Sequence, residues 1–191
     1  VQIPPPIGRR VLAAVVGGYT VLTLAGAMAV GTEPWFRRVD PVARVFRYYG
    51  RVAVFTRRAG QFRFRLPGVA LSEERLVDGL DEVAFIVALL WVTTYDGLVS
   101  TPLWADIGGA AVGAGVPPAV VYPAALVLGF LVFYGAYRMA ARLARRTGET
   151  YRSEASLARA FAPSLLAIAA GYHLAHFLGY FFSLAPALVS A

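Results

Sequence analysis

Apolar residues in this chain gather into four long blocks, which alternate with polar and arginine-rich segments. Each block approaches the length of about 20 apolar residues that a helix needs to cross a bilayer. Helices of a soluble core would instead show polar residues recurring along one face. The pattern predicts an all-α membrane protein, one membrane domain over 1–191 with about four transmembrane helices, at residues 11–31, 83–100, 119–141 and 157–184.

The first block has a second interpretation, as a signal peptide. Arg9 and Arg10 precede it, and Ala27-Met28-Ala29 resembles a cleavage site between small residues. However, the apolar run is longer than a usual signal-peptide core, and cleavage would export the arginine-rich loop that follows. We therefore expect a retained helix. The chain begins at Val1 and ends soon after an apolar block, which leaves open whether it is part of a longer protein.

The arginine-rich loop at 32–80 contains an amphipathic pattern. Asp40-Pro41 predicts a capped helix start. A helix with apolar residues on one face and arginines on the other is typical of a segment that lies flat in the membrane interface. The apolar face comprises Val42, Phe46, Tyr49 and Ala53, and the basic face Arg44, Arg47 and Arg51.

Three shorter stretches carry local predictions. Residues 61–66 alternate strictly, which predicts an extended segment too short and isolated to form a sheet. Residues 72–75 resemble a capping sequence and predict the start of the second membrane helix there. Residues 108–118 are rich in glycine, which predicts an exposed connector, and the Pro117-Pro118 pair that ends them suits the start of the third helix.

Composition supports a membrane protein and excludes some chemistry. Of 191 residues, 58% are hydrophobic and 15% charged, against about a quarter charged in soluble domains. The mean hydropathy is +0.61. With no cysteine, the chain has no disulfide and no thiolate ligand or nucleophile.

The distribution of arginine predicts the orientation. The net charge of +7 would suit nucleic acid, but ten arginines lie between the first two blocks and four shortly after the third. Cytoplasmic loops carry such an excess. We therefore expect no nucleic-acid partner and a multi-pass protein of the cytoplasmic membrane, with its arginine-rich loops in the cytoplasm and both termini outside.

The residues that carry candidate chemistry are Asp96, His173 and His176. The two histidines are the only ones in the chain, and they lie three residues apart in the last block. Asp96 is the one charge deep within the second block. Ionisable groups inside a membrane are costly and often functional. The helical rise of about 1.5 Å per residue puts all three at one level in the outer part of the bilayer.

Three interpretations of this cluster remain open. The side chains could bind a divalent metal such as zinc, with Asp96, His173 and His176 as ligands and catalytic residues. They could relay protons, because histidine titrates near neutral pH. They could also join helices by hydrogen bonds alone. Tyr95, Thr101 and Tyr172 are the candidate substrate-binding residues, because they lie beside the cluster in the chain or on its helical face.

Three stretches resemble a family of bacterial and archaeal integral membrane proteins called fenitrothion hydrolase-like: YYGRVAVF at 48–55, TYDGLVSTPLW at 94–104 and SLLAIAAGYHLAHFLGYFF at 164–182. The resemblance covers roughly the last 150 residues, by the extent of these matches. It implies a membrane-embedded hydrolase of organophosphate esters, in which the three candidate residues would hold a metal-activated water. It also implies longer relatives, of which this chain would be a part or a reduced version.

The sequence thus supports two functions. The first is an outward-facing His/His/Asp site, as in a metal-dependent hydrolase. The second is a non-enzymatic transporter component or membrane assembly subunit, in which the same residues handle ions or pack helices. The expected partners are the lipid bilayer and further membrane segments or subunits.

Overall fold

The computed structural model describes residues 8–58, 60–72, 76–148 and 150–189. Within them the chain is almost entirely helical, with one sheet of two short strands. The predicted all-α membrane fold is confirmed. Four helices are long and apolar enough to cross a membrane, at Arg10–Val30, Leu80–Val99, Pro118–Thr147 and Glu154–Pro186. The chain divides into two compact units after Gly50, and each is described by itself.

The first unit is a helical hairpin. It contains α1 (Arg9–Val30), the short α2 (Thr32–Pro34), a π-helical turn (Trp35–Val39) and α3 (Pro41–Val52), whose last residues belong to the second unit. The chain reverses at Gly31, which has a positive φ of 91°. Trp35 then packs its indole ring against α1 at Gly26. This contact requires glycine, because a Cβ at Gly26 would overlap the indole ring.

Asp40 forms the corner between α1 and α3, and its side chain is fully buried. Its carboxylate accepts hydrogen bonds from the Ala43 backbone N–H at 2.6 Å and from the Tyr19 hydroxyl at 2.6 Å. The predicted cap before Pro41 is therefore confirmed. Burial alone would raise the pKa of Asp40, but the hydrogen bonds from Tyr19, from the amides of Ala43 and Val42, and from Thr23 outweigh it and lower the pKa.

The second unit begins with a β-hairpin that corrects one prediction. β1 (Phe55–Arg58) pairs antiparallel with β2 (Gln61–Phe64), and Phe55 lies opposite Phe64. The alternation at 61–66 does indicate a strand, but the expectation that no sheet forms is wrong. Its partner strand was overlooked because Arg57 and Arg58 interrupt the apolar alternation in β1.

The start of the second membrane helix also differs from the prediction. Residues 69–72 form a 3-10 turn, and α4 (Leu80–Val99) begins only after Gly79. Ser72 therefore does not cap α4: its hydroxyl donates to the Val69 carbonyl. The remainder of the proposed cap, at 73–75, lies outside the described residues.

The glycine-rich connector is largely a helix. α5 runs from Pro102 to Gly113, with Thr101 as its cap and Pro102 at its first position. The predicted exposed connector at 108–118 is indeed largely exposed, although Gly108 is buried; up to Gly113 it is helical, and a turn follows around Gly115, which has a φ of 92°. The signal was present in Thr101-Pro102, since a cap followed by proline typically begins a helix.

The long helices α6 (Pro118–Thr147) and α7 (Glu154–Val189) complete the unit, and α6 begins at the predicted proline pair. α4, α6 and α7 each pack against the other two. The contact face of α7 consists mainly of small residues, which allow close approach of helix backbones. Its buried residues are Leu157, Ala158, Ala162, Leu166 and Ala169, and those of α4 include Val83, Ile86 and Val87.

Candidate functional site

The structure brings Asp96 of α4 and His176 of α7 into contact. The imidazole Nε2 lies 3.0 Å from the carboxylate Oδ2. This is the helix pair and the level that the helical rise predicts. The Asp96 side chain is 55% exposed and that of His176 30% exposed, so the pair lies on an open face of the helix pair.

The seam between α4 and α7 below this pair is tightly packed. Ile86 on α4 and Leu166 and Ala169 on α7 are fully or almost fully buried. Thr93, which is also buried, donates its hydroxyl to carbonyls of its own helix, at Leu90 and Leu89. The structure therefore provides no polar path along these residues from the pair toward the other end of α4.

His173 lies one helical turn from His176 but makes a different contact. Its Nδ1 is 3.0 Å from the Ala169 carbonyl of the same helix. Because a carbonyl only accepts, Nδ1 carries the proton in this contact. The His173 ring also stacks on Phe177, with 6.2 Å between ring centroids.

Aromatic residues of α7 surround the Asp96–His176 pair. The Tyr180 ring meets the His176 ring edge to face at 4.9 Å, and Phe177 does so at 5.7 Å. The hydroxyl of the predicted residue Tyr172 reaches α4 at Gly97, the neighbour of Asp96 in the chain, where a Cβ would lie 3.8 Å from it. The pair is thus an ionisable spot in an aromatic and otherwise apolar surface.

Two predicted site residues are engaged elsewhere. The Tyr95 hydroxyl donates to the Tyr122 carbonyl of α6 at 2.8 Å, and its ring packs against Trp91 and Trp104. Thr101 caps α5, accepting from the Trp104 amide at 3.3 Å and donating to the Leu98 carbonyl. In these positions Tyr95 and Thr101 support helix packing.

The metal prediction finds no support in the geometry. Among the described residues, no three His, Asp or Glu side chains are grouped to hold an ion. Asp96 and His176 provide two donors, whereas zinc sites in proteins usually have three or four protein ligands. The roles assigned to the three residues stay predictions.

Sequence reasoning missed a second ionic cluster, at the opposite end of α6 and α7. Glu154 binds Arg138 through Nε at 2.6 Å and Arg142 through Nε at 2.8 Å. Arg138 lies inside the predicted third span, and the Tyr134 hydroxyl, 3.1 Å from its Nη1, completes its contacts. An arginine within an apolar block was the available signal, because such a charge needs a partner.

The chain matches no family model, no curated protein and no solved structure. The resemblance to the fenitrothion hydrolase-like family therefore stays a prediction. Function has to be argued from the geometry of the Asp96–His176 pair alone.

Proposed function

We propose that this protein is a non-enzymatic subunit of a membrane assembly, and that the Asp96–His176 face receives a polar membrane segment of a partner. One observation carries the proposal: an ionisable pair in direct contact lies half-exposed on an otherwise apolar face of α4 and α7. Exposure of an ionisable side chain to hydrocarbon is costly, about 2.5–3.5 kcal/mol for an aspartate at the bilayer centre and less toward the interface, where Asp96 lies. A covering partner with hydrogen-bonding side chains removes that cost.

The alternatives have less support. Ion passage requires a polar path across the membrane. The seam below the pair is instead lined by the buried residues Ile86, Leu166 and Ala169. Metal-dependent hydrolysis requires a third protein ligand in addition to Asp96 and His176, which are in contact. Association with a partner segment requires only a hydrogen-bond donor and acceptor that are partly exposed, and His176 and Asp96 provide both.

Orientation belongs to the same proposal. The arginines after α6 and those between α1 and α4 favour a cytoplasmic position for these segments, because cytoplasmic loops carry an excess of arginine. Asp96, near the end of α4, and His176 beside it would then lie toward the outer leaflet. Because the chain has no cysteine, single cysteines at Arg146 and Ala110 can be labelled in intact cells with an impermeant maleimide. We expect labelling at Ala110→Cys only, and the reverse pattern would overturn the orientation.

Crosslinking tests the association. A photoreactive phenylalanine analogue replaces Tyr180, whose ring touches His176, and a matched control replaces Val132, which is exposed on α6. In native membranes we expect a defined protein adduct from position 180 and lipid adducts from position 132. The adduct should disappear when Asp96→Leu and His176→Leu are combined in the same chain.

Two results would refute the proposal. Lipid adducts alone at position 180 would leave the pair uncovered. Stoichiometric divalent metal in the purified protein, lost in both His173→Ala and His176→Ala, would favour the hydrolase instead. Metal analysis of the wild type and the two variants therefore accompanies the crosslinking.

A further inference from the structure

The β-hairpin has two chemically different faces. Cross-strand partners share a face of the sheet, and so do residues two apart on one strand. The register therefore places Phe55, Arg57, Phe62 and Phe64 on one face, which we call the aromatic face. Thr56, Gln61 and Arg63 occupy the opposite, polar face.

The aromatic face is open. Phe55, Phe62 and Phe64 are each exposed by 70% or more. Phe55 and Phe64 meet edge to face at 5.9 Å, and the Arg57 guanidinium lies 5.6 Å from the Phe62 ring centroid. Three exposed phenylalanines on one small sheet form an apolar patch of the kind that marks an interaction site.

The hairpin is held at its base. The Arg65 side chain donates from Nε to the Ala53 carbonyl at 3.1 Å and from Nη2 to the Arg51 carbonyl at 3.2 Å. The Arg65 backbone N–H also donates to the Val54 carbonyl at 2.8 Å. One arginine thus joins the end of β2 to the end of α3, so the aromatic face is presented on a fixed strand pair.

We propose that the aromatic face inserts into the headgroup region of a leaflet containing anionic lipid. Along the chain, the hairpin is flanked by two helices able to span a membrane, one ending at Val30 and the next beginning at Leu80. A bilayer surface is therefore near this part of the chain. Aromatic rings favour the interface. Arginine stems lie along apolar surface while the guanidinium binds phosphate, and Arg57 over Phe62 provides that combination.

A lipid surface fits this face better than a protein partner does. In a lipid headgroup layer, phosphates lie just above the acyl chains. The Arg57 guanidinium can therefore bind a phosphate while the three phenylalanine rings contact the acyl chains. In a protein interface the guanidinium would need a dedicated carboxylate.

Spin labels can distinguish these environments. Single cysteines replace Phe62, on the aromatic face, and Gln61, its neighbour on the polar face, in a chain that has no other cysteine. The full protein is reconstituted into phosphatidylcholine vesicles with or without phosphatidylglycerol. In anionic vesicles, we expect the label at 62 to be accessible to oxygen and protected from a water-soluble nickel chelate, and the label at 61 to show the reverse.

Each other outcome counts against the proposal. Accessibility of the label at 62 to the nickel chelate would place the aromatic face in water, and protection from both reagents would place it under protein. Equal protection in neutral vesicles would overturn the preference for anionic lipid. A label at Phe55 repeats the measurement, in case Phe62→Cys distorts the turn, and Arg57→Gln should raise nickel accessibility at 55 in anionic vesicles.

Discussion

Gly129 on α6 makes room for the indole of Trp91 on α4. A Cβ at this position would lie 2.7 Å from indole Cε2 and nearer still to Cζ2 and Cη2, whereas ordinary contact begins at 3.4 Å. The ring has little freedom to move away. Its Nε1–H donates to the Leu126 carbonyl at 2.7 Å, and it packs against Phe133 with 4.7 Å between centroids. Gly129→Ala should therefore push the indole out of its site between α4 and α6.

The expected cost follows from these contacts. Overpacking by one methyl group costs about 1–3 kcal/mol, and a buried donor that loses its acceptor costs about 1–3 kcal/mol. The better helix propensity of alanine returns about 1 kcal/mol. We expect Gly129→Ala to lower the free energy of unfolding of the α4–α6–α7 unit by about 1–5 kcal/mol.

The same helix offers a matched control. A Cβ at Gly135 meets nothing within 4 Å, so Gly135→Ala should be neutral or stabilising by up to about 1 kcal/mol. Unfolding in mixed micelles, followed by circular dichroism and tryptophan fluorescence, measures both variants. Adding Trp91→Leu to Gly129→Ala should recover part of the loss, because it removes the clash. Equal stability of the two glycine variants would refute the packing of Trp91 on Gly129.

Further predictions concern three other contacts. Asp40→Ala should destabilise the α1–α3 corner by about 1–2 kcal/mol, the range for a lost helix cap, and Asp40→Asn by less; equal stability in thermal melts would contradict the corner. Because the folded pKa of Asp40 is lowered, its stabilisation should be complete above the unfolded pKa of about 3.9 and disappear as the pH falls through the folded value; acid titration should show this loss in the wild type and not in Asp40→Asn. Glu154→Gln should lower the thermal midpoint by weakening the contacts to Arg138 and Arg142, whereas exposed Glu33→Gln should not, and equal midpoints would count against the cluster. Arg65→Ala should increase the mobility of a spin label at Phe55, since it releases the hairpin base, and Arg63→Ala should leave it unchanged; no difference between them would rule out that anchor.

The membrane helices could be predicted because their signal is local. A block of apolar residues is sufficient for a span, and Asp40-Pro41 or Pro117-Pro118 is sufficient for a helix start. The contact between Asp96 and His176 could be predicted from two features of the sequence. The helical rise gives the depth of each residue along its span, and the distribution of arginines gives the direction of each span. What could not be predicted depends on rotation about the helix axes. Tyr95 is adjacent to Asp96 in the chain, yet it faces α6, because successive residues of a helix point about 100° apart.

The hairpin and the short α5 were missed for a different reason. Each is recognisable only when two weak signals are combined: two strands across a turn, or a cap with a proline ahead of glycines. Arginines in β1 and glycines in α5 hide each signal when it is taken alone. The corner at Asp40 could not be predicted from local sequence either, because it requires Tyr19, which is 21 residues earlier in the chain.

The corner at Asp40 bears on the order in which the protein is made. Tyr19 is synthesised well before the carboxylate that its hydroxyl binds, and the Ala43 amide comes later still. Until Asp40 has been added to the growing chain, the hydroxyl groups of Tyr19 and Thr23 therefore lack their final acceptor. The first unit reaches its native hydrogen bonding only when the ribosome has passed Ala43 and the chain has turned back on itself. α1 therefore cannot complete its hydrogen bonding by itself, and the closing of the first unit depends on a single carboxylate that follows it in the chain.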